Sequence, residues 1–178
     1  LNIKLAPSRE LLAHKIQSWI EQIASILGTL YLLLIAVIVL QIILRKGFSN
    51  GMVAFEELQW HLYAITMMFG LAYVETVNAN VRVDIISSRL SSRTRSLIEI
   101  VGLTLLIVPF ILIVLYHSLD FVETAWRIGE NSNAPGGLPF RWVIKSVIPA
   151  SFLLWLLAIL ARLHITWLEF KGSNKHGH

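Results

Sequence analysis

Long apolar runs separated by short polar stretches organise this chain. Ile26 to Leu44 is apolar except for Gln41. Leu97 to Leu119 carries only Glu99, Pro109 and His117 as notable interruptions, and Trp142 to Ala161 holds Lys145 and Pro149 near its start. A helix that crosses the roughly 30 Å hydrocarbon core needs about 20 mostly apolar residues, and each of these runs has that length. Val53 to Val77 reads as a fourth span of a more polar kind. It contains Glu56, Glu57, Gln59, His61 and Glu75, but between Leu62 and Val74 it is nearly free of polar groups, so its charges gather where side chains reach headgroups and water. The pattern predicts an all-α integral membrane protein with four transmembrane helices, at about 23–45, 53–77, 97–121 and 141–163. These form a single domain over residues 1–170, followed by a flexible polar tail at 171–178.

Before the first span, Leu12, Ile16, Trp19 and Ile23 recur at helical spacing, with Ser8 after Pro7 as an N-cap. Ser8 to Gln22 therefore reads as an amphipathic helix on the cytoplasmic surface, with a plain extension of the first span as the alternative. The first long apolar run starts only near Ile23 and is long enough to span, unlike the short apolar stretch of a cleaved signal peptide.

Composition sharpens this picture. The 178 residues are 56% hydrophobic and 15% charged, where soluble domains run about 45–50% and about 25%. The formal charge of +4 is assigned to the membrane surface and not to nucleic acid. Cysteine is absent, which excludes disulfides, thiolate metal sites and a cysteine nucleophile. Four spans place both termini on one side. That side carries ten of the fifteen Lys and Arg residues, four of them between Asn80 and Ser96, so the positive-inside rule puts both termini in the cytoplasm. Trp19 and Trp167 then fit the inner aromatic belt, and Trp126 and Trp142 the outer one.

The ionisable groups sit near the span ends: Glu56, Glu57 and Lys145 at the outer face, Glu75 and Glu99 at the inner. An ion pathway normally places such groups near the midplane, so they are read as snorkelling or pairing between helices. His61 and His117 fall at comparable depth. Facing histidines in a helical bundle hold b-type haem, which makes a haem-binding redox anchor the alternative reading. No catalytic, cofactor or metal motif of a soluble enzyme is present, and the chain is read as non-enzymatic. Arg127, Glu130, Pro135, Gly136, Gly137 and Pro139 form a rigid outer turn. Arg141 and Lys145 follow one helical turn apart, suited to phospholipid headgroups or a protein partner. Gly70, among Ala64, Thr66 and Ala72, permits close approach of a partner helix.

These residues resemble the small membrane (DctQ-like) subunit of tripartite ATP-independent periplasmic (TRAP) transporters. The resemblance rests on Glu56-Glu57 and Gly70-Leu-Ala-Tyr73, on Val81-Arg82-Val-Asp84 and Leu90-Ser-Ser-Arg-Thr-Arg95, and on Trp126-Arg-Ile-Gly-Glu130, Pro135-Gly-Gly-Leu-Pro139 and Arg141-Trp-Val-Ile-Lys145. Asn80 departs from the histidine common there in the family. The resemblance implies a bacterial inner-membrane subunit that scaffolds a large membrane subunit. That subunit would carry sodium and an organic acid delivered by a periplasmic substrate-binding protein. It also implies a partner or docking interface on the residues named here.

Overall fold

The computed structural model describes residues 6–48, 51–77 and 90–173, and every regular element among them is helical. Helix α1 is Ala6–Gly47 and α2 is Val53–Thr76. Helix α3 runs through Ser92–Gly102, a π-helical turn at Leu103–Ile107, and Val108–Arg127. Helix α4 is Arg141–Ser173. The π turn stands directly before Pro109, whose ring would collide with the carbonyl four residues back. Widening the turn to i→i+5 removes that collision without ending the helix.

Three stretches are long and apolar enough to cross a membrane: Ile26–Gly47, Arg93–Arg127 and Arg141–Leu168. Helix α2 is not among them. Its 24 residues extend about 36 Å, enough to cross, but three glutamates, Gln59 and His61 dilute its hydropathy. Helix α1 is continuous from Ala6, and Ile20 is buried against Ala72 of α2 and Ala158 of α4. The end of the segment read as a surface helix therefore packs in the bundle, while Trp19 beside it is exposed. Helix α4 continues through Ser173, so the first residues of the expected tail are helical.

Helix α4 is the hub and touches the other three helices. Its partners meet it in successive layers. Ile20, Ala72 and Ala158 form one, and Ile111 of α3 packs against Phe152 and Ile159 in another. Leu34 and Val37 close on Leu62 between α1 and α2. Buried hydroxyls bond within their own helices, Thr66 to the carbonyls of Leu62 and Tyr63 at 2.9 Å and Ser151 to that of Ile148 at 3.0 Å, as a medium without water requires. Helix α3 leaves most of its apolar surface uncovered, with Leu105, Leu106, Ile113 and Leu119 exposed.

Ala72 is fully buried, whereas a Cβ on Gly70 would meet no atom within 4 Å. Ala72→Leu is expected to lower the stability of the isolated chain by about 1–3 kcal/mol through overpacking, and Gly70→Leu to change it little. Unfolding in detergent followed by circular dichroism checks this contrast.

Candidate functional site

Polar chemistry is concentrated at the two ends of the bundle. At the end where α3 stops and α4 starts, residues 128–140 are folded by a series of backbone requirements. Gly129, at φ +60°, ends α3: its N–H reaches the Trp126 carbonyl at 3.1 Å and the Glu130 N–H reaches that of Ala125 at 2.9 Å, a Schellman cap. Pro135 and Gly136 occupy the centre of a turn closed by Gly137 N–H to the Ala134 carbonyl at 3.0 Å. Gly136, at φ +74°, supplies the positive φ that a type II turn demands. The Arg141 N–H bonds to the Glu130 carbonyl at 2.9 Å, so the chain returns beside the end of α3 before entering α4. Phe140 adopts φ +59°, an unusual conformation for an aromatic residue; its N–H is held by the Asn131 side chain at 3.1 Å.

One side chain from a distant helix anchors this loop. Glu57 of α2 accepts the Ser132 hydroxyl on one carboxylate oxygen and the Leu138 N–H on the other at 2.6 Å. Gly137 makes the approach possible. A Cβ there would lie 2.5 Å from Ser132 Cβ and 2.9 Å from the Glu57 carboxylate. Glu130 pairs with Lys145, whose ammonium lies 3.8 Å from the centre of the Phe121 ring. Trp126 and Trp142 meet edge to face at 4.4 Å and clamp the base of the loop.

At the opposite end, Arg162 of α4 joins two carboxylates on two helices. It pairs with Glu75 of α2, and its Nε donates to Glu99 of α3 at 2.6 Å. Arg162 is 13% exposed and Glu75 7%, so the cluster is largely withdrawn from solvent. Each ionic contact ties helices or a loop together.

The expected interface residues divide by location. Glu57, Gly137, Glu130, Arg141 and Lys145 come together around the loop and the mouth of α4. Glu56 instead faces α1, where Gln41 donates to it at 3.2 Å and Arg45 lies at 3.6 Å. Arg127, Pro135 and Pro139 are exposed on the loop surface. Gly70 is midway along α2 with open space beside it. Arg82 and Asp84 lie outside the described residues. His61 lines a cavity with Glu57 and Arg141, whereas His117 is exposed on α3 against Tyr116, so the structure gives the haem reading no paired histidines at one site.

Two residues escaped the sequence reading. Ser132 carries no motif. In the sequence Arg162 is one of the ten Lys and Arg residues on the side of the termini, although Glu75 and Glu99 at the inner ends of their own spans signal its depth.

Arg162→Gln leaves both carboxylates without their guanidinium and is expected to destabilise the chain by about 3–5 kcal/mol. Arg162→Lys should recover only part of this, since an ammonium lacks the fork that serves two acceptors. Thermal unfolding in detergent at neutral pH ranks the three proteins; equal midpoints would refute the triad's role.

The model of the family described as tripartite ATP-independent periplasmic transporters, DctQ component, matches residues 34–168, about three quarters of the chain. No curated protein matches. The chain belongs to this family and is a transporter component.

Proposed function

We propose that this chain is the small, non-catalytic permease subunit of a sodium-driven TRAP transporter. In this reading it scaffolds the large membrane subunit for uptake of an organic acid delivered by a periplasmic binding protein. The observation that carries the proposal is the employment of the carboxylates on α2. Glu56 bonds to α1, Glu57 to the loop and Glu75 to α4, so each serves as a strut between elements. A carboxylate used in this way holds a frame; a transport site needs groups that release and rebind their cargo.

Helix α2 is the fourth span in this reading. It is long enough, it packs between α1 and α4, and its glutamates have partners supplied by the protein. Both termini then face the cytoplasm of the bacterial inner membrane, in line with ten cationic residues on that side against five on the other. The uncovered faces of α1 and α3 meet lipid and the large subunit, and Gly70 offers a partner helix close approach. The rigid loop 128–140 faces the periplasm, with Ile128 and Phe140 exposed for the binding protein.

In proteoliposomes with a sodium gradient, the chain alone is expected to move no organic acid. Together with the large subunit and the loaded binding protein it should be required for uptake. Gly137→Val should reduce that uptake strongly by expelling Glu57 from the loop, and Arg141→Gln only weakly. Reporters fused after His178 and inserted at Asn133 should be active in the cytoplasm and the periplasm respectively. Uptake by the isolated chain, or the reverse reporter pattern, would overturn the reading.

A further inference from the structure

Where α2 and α4 begin and α3 ends, side chains line an open cavity of about 600 Å³. This lies within the range of small-molecule sites. Its wall combines charged and apolar side chains. Glu57, Glu130 and Arg141 rim the side toward the loop, and His61 and Lys145 lie one helical turn further along α2 and α4. Ala64 lies a further turn along α2, and Ile144 and Phe121 stand at the level of Lys145. Trp60 is largely exposed and Phe121 about half exposed at its edge, so the cavity opens sideways onto the surface that faces lipid.

The charges are unequally engaged. Glu57 is held by Ser132 and Leu138, and Glu130 by Lys145. The Arg141 guanidinium, half-buried in the wall, has no ion pair among the described residues. Two carboxylates and two cations leave the rim with no net formal charge, apart from His61. A planar guanidinium matched to phosphate, a neutral rim and apolar side chains open to the bilayer together describe one kind of molecule.

We propose that the cavity binds a zwitterionic phospholipid. The phosphate rests on Arg141, the cationic head lies toward Glu57 and Glu130, and the acyl chains leave between Trp60 and Phe121. A free phosphate would satisfy Arg141 but leave the apolar wall uncovered. The proposal requires that α3 and α4 lie in the bilayer and does not depend on the transport reading.

Native mass spectrometry tests this on the full chain, released from nanodiscs of equal parts phosphatidylethanolamine and phosphatidylglycerol. One phospholipid is expected to remain bound after the bulk lipid is stripped, enriched in phosphatidylethanolamine. Arg141→Gln should lower the retained fraction about tenfold through loss of charge-assisted bonds to phosphate. Ala64→Leu, which narrows the cavity and keeps every charge, should lower it as well, with circular dichroism confirming the fold of each variant. Because Arg141→Gln leaves the packed core unchanged, it decides the question even where Ala64→Leu fails to fold. No retained lipid in the unsubstituted chain, retention indifferent to Arg141→Gln, preference for phosphatidylglycerol, or displacement by inorganic phosphate would each overturn the proposal.

Discussion

Arg162 reaches from α4 to a carboxylate on α2 and another on α3, and so fixes three helices at one level. Lipid supplies little hydrophobic drive between helices, because its tails are as apolar as leucine. Apolar side chains can fill the spaces of such a bundle, but they specify its rotation and register weakly. A guanidinium with two acceptors on separate helices does specify them, since any slip leaves a charge withdrawn from water without a partner. The close contacts nearby, such as Ala72 against Ile20 and Ala158, depend on the alignment this cluster imposes.

The opposite end is organised by the same rule with different chemistry. Glu57 gathers a loop whose backbone is already folded by Gly129 and Gly136, and it reaches the loop only because Gly137 has no side chain. The Glu130–Lys145 pair and the edge-to-face tryptophans then define where α4 enters. Helix α4 contains Pro149, which removes one backbone donor and frees the carbonyl of Lys145. The helix is thus fastened by side chains on both sides of its weakest turn, at Lys145 and at Arg162.

A frame fixed at both ends suits the scaffold role proposed above. Its ion pairs are made between its own helices and loop, and large apolar faces are left uncovered. The cavity beside Arg141 fits this division: it is the place at the loop end where a guanidinium and an apolar wall together face outward.

The sequence by itself determined the helices. Apolar runs of spanning length and the Gly and Pro turn before α4 are local or additive properties, so three of the four expected spans, the loop and the family resemblance were legible without coordinates. The grouping of ionisable residues at span ends was equally legible, because the cost of a charge in hydrocarbon depends on depth alone. Partnership was not. Glu56 and Glu57 are adjacent in sequence, yet one serves α1 and the other a loop 75 residues away, because successive residues on a helix point about 100° apart and only the packing decides what stands opposite each. Arg162 looked like one more surface cation until α2 and α3 brought Glu75 and Glu99 to it. The continuation of α1 into the bundle at Ile20 likewise required a groove between α2 and α4 that no single segment encodes.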